Sequence, residues 1–291
     1  MAKFINPFTD TGFKRIFGQE VSKPVLIAFL NGLLEGERKI VDLQYLDKEQ
    51  PGESTGDKSL IYDVYCKLEG GDYIIVEMQN KREASFKERC LCYLSRSISQ
   101  QSARGSQWNY GELRAVYLIA FLNFKMPSVS DDFRTDIGLM DMRRGTQFSD
   151  KMRMVFLQLP YFTKEVDECE NTFERIIYTL KHMDILKRMP WMAQEAVFQR
   201  LASIADVASL TKKEREAYDR DLRAYRNTVS VMQGQYLEGV EKGMEKGMEK
   251  GMEKGMDRAN RENARRMKAD GMSPALIAKY TGLNLADIEA L

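Results

Sequence analysis

Ile61-Tyr62-Asp63-Val64-Tyr65-Cys66-Lys67-Leu68 and Tyr73-Ile74-Ile75-Val76-Glu77-Met78-Gln79 are two β-rich runs separated by Glu69-Gly70-Gly71-Asp72. Alternating apolar and polar positions bounded by a Gly-rich cluster predict a hairpin. Tyr62, Val64, Cys66 and Leu68 fall on one face and Asp63 on the other. On the second run Ile74, Val76 and Met78 share a face, opposite Glu77 and Gln79. If the loop holds three residues centred on Gly70, Asp63 lies directly across from Glu77; a loop one residue longer shifts the pairing by one. Opposed residues have Cβ atoms about 4.5–5.5 Å apart. Two carboxylates so placed repel, and a shared proton or a divalent cation relieves them. All-oxygen ligands with no histidine nearby suit Mg²⁺ or Mn²⁺ better than zinc. Magnesium is normally completed by water and substrate phosphate, which points to phosphodiester cleavage. The competing reading leaves both acids facing solvent on an edge hairpin, where they discourage aggregation.

Outward from the hairpin, Asn6-Pro7-Phe8-Thr9-Asp10 reads as a loop delivering a cap to a helix over Gly12–Phe17. Asp10 is either that N-cap or a third acidic ligand. Ser22 and Pro24 open a second helix with Val25, Leu26, Phe29, Leu30 and Leu33 on one side. Val41–Leu46 is a third strand candidate. Ser85–Gln101 is helical, and Ala115–Phe121 has the continuous apolar run of a strand buried on both faces. Met152–Leu159, stopped by Pro160, is the last strand. Helix, three strands, helix, strand is the pattern of an α/β fold, a mixed sheet flanked by helices.

The hairpin leads directly into a basic stretch. Residues 81–104 hold six basic side chains (Lys81, Arg82, Lys87, Arg89, Arg96, Arg104) against two acidic ones. Arg82, Arg89 and Arg96 recur every seven residues, with Tyr93 and Gln100 on the same side and Phe86, Cys90, Leu94 and Ile98 as the apolar stripe beside them. This face either holds a phosphate backbone or is simply solvated.

Four regions are expected: a core over 1–160, an all-helical extension over 161–235, a repeat linker helix over 236–262, and a small helix-turn-helix-like tail over 263–291. Residues 239–256 repeat Gly-Met-Glu-Lys with a period of four. Five glycines at roughly 0.8–1 kcal/mol each make a lone helix marginal. The segment reads as a frayed helical spacer or as a self-association helix through which the chain forms a homo-oligomer. In the tail, Gly271 ends a helix, Ser273-Pro274 opens one over Ala275–Tyr280, and Asn284 caps Leu285–Leu291, with Leu276, Ile277, Leu283 and Ile288 as core. Its second helix is acidic, which favours protein contact or capping over base readout.

Composition narrows the classes. The 291 residues carry 44 Lys and Arg against 43 Asp and Glu, split almost evenly between residues 1–160 (22 and 21) and the remainder. Any nucleic-acid binding therefore rests on a local patch. Cys66, Cys90, Cys92 and Cys169 lack metal spacing and fit free thiols of a reducing cytoplasm, the expected compartment. No run of eighteen apolar residues occurs, so no membrane partner is expected. His182 is the only histidine and reads as a surface residue; Trp108 and Trp191 read as core or interface anchors.

Asp63 followed by Glu77-Met78-Gln79 resembles the PD-(D/E)xK nuclease superfamily with glutamine in the lysine position. More narrowly, Asn6-Pro7-Phe8-Thr9-Asp10, Phe13-Lys14, Phe17-Gly18, Val76-Glu77-Met78-Gln79, Phe86-Lys87-Glu88-Arg89 and Tyr93 resemble the Rpn-type recombination-promoting nucleases and transposases. The resemblance spans roughly residues 4–125. It implies a restriction-endonuclease-like fold and a Mg²⁺- or Mn²⁺-dependent DNA endonuclease linked to recombination or transposition. Asp63 and Glu77, with Asp10, would hold the metal; Gln79 and Lys81 join them as catalytic residues, and Arg82, Arg89, Tyr93 and Arg96 would hold DNA. Gln79 carries no charge, so Lys81 or Lys14 would supply it. The alternative is an inactive DNA-binding or protein-interaction module that assembles through its repeat and tail.

Overall fold

The computed structural model describes residues 2–50, 59–102 and 109–291; Arg104 and Trp108 lie outside them. The chain divides into two compact units, Met1–Thr228 and Val229–Leu291.

The first unit is built on a six-stranded mixed sheet. In chain order its elements are α1 (Asp10–Phe17), α2 (Lys23–Leu33), β1 (Leu43–Tyr45), β2 (Glu49–Gln50), β3 (Leu60–Ile61), β4 (Val64–Leu68), β5 (Tyr73–Gln79) and α3 (Phe86–Ser99). Then come β6 (Val116–Leu122), β7 (Arg134–Asp141), β8 (Thr146–Gln158), α4 (Thr172–His182), α5 (Ala196–Ala205) and the start of α6 (Lys212–Ala269). The strand order is β1-β4-β5-β6-β8-β7, with β5, β6 and β8 mutually parallel and the other pairs antiparallel; β2 and β3 form a separate ribbon. This is the restriction-endonuclease-like α/β architecture: a mixed sheet with helices on both faces.

Strand β6 explains the layering. Every residue from Val116 to Leu122 is buried, because both faces are covered. Tyr117, Ile119 and Phe121 join the core made with α1, α2, α4 and α5. Phe121 stacks among Phe13, Phe17 and Phe29 at centroid distances of 5.1–5.7 Å. The other face is covered by α3, whose Phe86 meets Phe156 of β8. Ile74 and Val76 belong to the α1–α2 side, so Ile75, Glu77 and Gln79 project to the α3 side.

The structure refines several expectations. The run Leu60–Leu68 is two strands, broken at Tyr62-Asp63. The bend takes Tyr62 off the Val64 face, and its ring packs on Tyr65 and Tyr93 at 5.0 and 4.9 Å. Strand β7 is an edge strand with largely exposed side chains that the sequence pattern does not mark, and β8 begins six residues before Met152. Thr9, not Asp10, caps α1, accepting from the Gly12 N–H at 3.0 Å. Residues 161–235 are not helical throughout, because extended and turn segments separate α4, α5 and α6. His182 is half-buried rather than on the surface, its ring 4.5 Å from that of Tyr178. Trp191 packs edge-on to Tyr178 and against Phe198.

In the second unit the repeat is continuously helical. A Cβ added at Gly239, Gly243, Gly247, Gly251 or Gly255 would meet nothing within 4 Å, and Met244, Met248, Met252 and Met256 are exposed. The glycine penalty is outweighed by cooperative propagation through good helix formers. Ala264 of α6, Ile277 of α7 (Pro274–Thr281) and Ile288 of α8 (Leu285–Glu289) form its small core. Leu276, expected in that core, is exposed. No described helix is long and apolar enough to cross a membrane.

Phe121→Ala, which empties the centre of the aromatic cluster, is expected to cost about 3–5 kcal/mol of unfolding free energy in urea titrations. A loss below about 1 kcal/mol would contradict this account of the core.

Candidate active site

The β4–β5 pairing matches Val64 with Val76 and Lys67 with Tyr73, the register in which Asp63 stands across from Glu77. Backbone pairing stops there and side chains take over. The Asp63 N–H donates to Glu77 Oε1 at 3.1 Å, and the Met78 N–H donates to Asp63 Oδ2 at 2.9 Å. Each carboxylate thus spends one oxygen on the other's strand and keeps its second. Glu77 projects to the α3 side, and the pair sits near the end where the parallel strands β5 and β6 finish together at Gln79 and Leu122.

Glu77 is only 6% exposed and Asp63 half-buried, yet none of the ion pairs among the described residues engages either. Burial raises the Asp63 carboxyl; the Met78 N–H and the charge of Lys14 pull it back, while Asp10 pushes it up. Glu77 is raised well above its ordinary value by burial first and by Asp63 second, against a smaller pull from Arg89 and Lys14. The pair carries more negative charge than its surroundings neutralise, and its donors are hard oxygens. That is the environment a divalent oxygen-seeking cation fits. Among the described residues no three His, Cys, Asp or Glu side chains are grouped to hold a metal. A cation here would take two protein carboxylates, with water or substrate oxygens completing its shell.

The other expected site residues fall into distinct places. Asp10 is not gathered with the pair: it is exposed in the first turn of α1 and ion-paired to Lys14, one turn on. Gln79, 8% exposed, is tied at both ends of its amide; Nε2 donates to the Lys81 carbonyl at 3.0 Å and Oε1 accepts from Arg89 Nη2 at 2.6 Å. The Lys81 side chain is exposed beside a cavity of about 300 Å³ lined by Phe8, Asp10, Gln79, Glu83 and Tyr225. Arg82 precedes α3 instead of lying on its face, and donates to the Lys125 carbonyl through Nε at 2.9 Å and Nη2 at 2.6 Å. Tyr93 is turned inward, its hydroxyl donating to the Ile61 carbonyl at 3.0 Å. Burial and then the charge of Glu77 push that hydroxyl up to about 12. Arg96 is half-buried on α3.

Arg89 is the residue whose place the sequence hid. Spacing put it on an outward stripe, but its guanidinium reaches back under the sheet. Nη1 pairs with Glu83 at 2.7 Å, Nη2 holds Gln79, and Nε is buried without a partner. The Phe86 ring lies beneath it at 5.3 Å. The clue available in sequence was Gln79 itself: an uncharged amide beside two acids calls for a cation from another element.

The N-terminal loop closes one side of this end of the sheet. Asn80 Nδ2 donates to the Phe8 carbonyl at 2.6 Å, and the Asn6 N–H donates to the Tyr218 hydroxyl of α6 at 2.8 Å. Gly12 is required there, since a Cβ would stand 2.1 Å from the Asn6 carbonyl oxygen. Asp221 of α6 accepts from the Thr11 N–H at 3.0 Å.

A carboxylate pair on a mixed sheet, followed by an amide and an arginine from the next helix, defines a nuclease-type α/β protein. The family model described as PD-(D/E)XK nuclease family transposase matches residues 7–235, and the chain belongs to that family. No curated protein and no solved structure matches the chain.

Raised acid pKa values carry a definite sign. Folded Glu77 holds its proton more tightly than the unfolded chain does, so it costs stability as pH rises past 4.5, its ordinary value, and through its raised one. Glu77→Gln, which keeps the acceptor for the Asp63 N–H, should melt higher than the parent at pH 7 in EDTA. The gain should be about 2–4 °C for each ~1 kcal/mol recovered, closing towards pH 4. A lower melting temperature at pH 7 would contradict the charge assignment.

Proposed function

We propose that the protein is a metal-dependent DNA endonuclease acting in recombination or transposition. The observation that carries this reading is the pairing of buried Glu77 with half-buried Asp63 at the end of the parallel strands, engaged by none of the ion pairs among the described residues. Asp63 and Glu77 would hold Mg²⁺ or Mn²⁺, which when bound polarises a phosphoryl oxygen and lowers the pKa of an attacking water.

The chain's own residues do the rest. The N–H groups of Asp63 and Met78 fix the carboxylates in one orientation, so their free oxygens are preorganised. Gln79, locked by Arg89 and the Lys81 carbonyl, would offer an amide N–H but no formal charge to the phosphoryl oxygens on which charge develops. Arg89 supplies the positive charge that Gln79 lacks; Lys14 adds a second, and both pull the two carboxyl groups down. Arg82, Lys81 and Arg96 would meet the phosphate backbone outside the pair.

The uncharged Gln79 also favours a second reading, a nucleic-acid-binding module with little or no cleavage. A nicking assay on supercoiled plasmid separates them. The endonuclease reading predicts Mg²⁺-dependent nicking that EDTA abolishes, lost to background in Asp63→Asn, and about 10²–10³-fold slower in Arg89→Ala. Folding of both variants is checked by circular dichroism. Equal nicking by Asp63→Asn would remove the proposal; DNA binding without nicking under any divalent metal would select the second reading.

A further inference from the structure

A cavity of about 490 Å³ lies between the segment that leaves β5 and the loop that leaves β6. Phe124, Met126 and Pro127 wall one side, and Ala84 and the first turn of α3 the other, with Arg82 and Lys87 at the rim. It sits at the same end of the sheet as Glu77, because β5 and β6 run parallel and in register to Gln79 and Leu122. Glu83 lines both this cavity and the one that holds Gln79 and Lys81, and it is joined to Gln79 through Arg89. Glu83 is the side chain the two spaces share.

The far wall is braced. Gln158, fully buried, accepts from the Met126 N–H at 2.5 Å and donates to the Ser130 and Asp132 carbonyls at 2.8 and 3.1 Å. Arg82 is held on the Lys125 carbonyl, and Lys87 Nζ lies 3.3 Å from the Ser128 carbonyl. Arg82 keeps Nη1 and Lys87 keeps ammonium protons for another acceptor. Ser85 makes no side-chain cap on α3; the Phe86 N–H goes to the Glu83 carbonyl at 3.3 Å, and the Lys87 and Glu88 N–H groups of the first turn add to the same positive end. An apolar wall with Arg82 and Lys87 at the mouth, beside the carboxylates of Glu88 and of Glu83, which Arg89 holds, fits a planar base inside and its phosphate on the two cations.

We infer that this cavity receives one unstacked nucleotide of the DNA substrate, its base against Phe124, Met126 and Pro127 and its phosphate on Arg82 and Lys87. The inference rests on the endonuclease reading and sharpens it: the favoured substrate is DNA with an unpaired nucleotide beside the cut, where no stacking has to be broken. A fully paired duplex must pay for extrusion before it can fill the slot.

The test compares two duplexes of one sequence, one fully paired and one carrying a single bulged 2-aminopurine. Binding to the full chain bearing Asp63→Asn is followed by anisotropy, and base unstacking by 2-aminopurine fluorescence. The bulged duplex should bind about tenfold more tightly than the paired one. Adding Ala84→Trp, which fills the slot from an exposed position, should erase that preference while leaving paired-duplex affinity within about twofold. Lys87→Glu should weaken the bulged duplex about tenfold. Equal affinities for the two duplexes, or a preference that survives Ala84→Trp, overturns the subsite. Nicking by the parent chain is scored separately, so a preference without cleavage overturns the nuclease reading and leaves the slot standing. A chain that binds neither duplex overturns both.

Discussion

Two negatively charged side chains are brought within reach of one another by the pairing of β4 with β5, and the rest of the first unit makes that tolerable. At Asp63 and Glu77 the antiparallel ladder gives up its backbone acceptors and uses carboxylate oxygens in their place. This orients both groups without neutralising either. Burial makes the arrangement costly, since the charged form loses water and gains a like-charged neighbour. A fold that keeps such a pair forgoes stability at neutral pH, and a bound cation would return it.

The layers around the pair explain how the cost is borne. β6 supplies an apolar floor buried on both faces, and the α1–α2 side anchors it through three phenylalanines, Phe13, Phe17 and Phe29, packed around Phe121. On the opposite side α3 is amphipathic in a second sense. Its apolar stripe covers the sheet while Arg89 slips beneath the edge to Gln79. Glu83 balances Arg89, so the guanidinium is fixed without being aimed directly at the carboxylates. The N-terminal loop, pinned by Asn80 and Tyr218, completes that end of the sheet.

Much of this was legible in the chain, for physical reasons that vary by element. The Gly70-Gly71 turn narrowed the β4–β5 register to two neighbouring choices, of which the structure takes the one that sets Asp63 across from Glu77, and the unbroken apolar run made β6 readable as a two-sided strand. Val25, Leu26, Phe29, Leu30 and Leu33, the apolar side of α2, are all buried, as their spacing required. What the sequence concealed was contextual. An alternating pattern does not announce a bend, so Tyr62 went to the wrong face. β7 mixes Gly138 with polar and exposed residues, and an edge strand has too little buried surface to print a clear alternation. A seven-residue arginine spacing looked like one helical face, whereas Arg82 precedes the helix and Arg89 is drawn inward by Gln79. Asp10 carried an acid's promise, but Lys14 four residues on engages it first.

Nuclease chemistry at this site requires Asp63 and Glu77 to grip a common cation. The most direct measurement is a crystal structure of the protein soaked in Mn²⁺, read by anomalous scattering. The account predicts one strong peak coordinated by oxygens of both carboxylates, absent from Asp63→Asn. A map with no peak between them at saturating Mn²⁺, or one with the ion held elsewhere and both carboxylates protonated and uncoordinated, would contradict it.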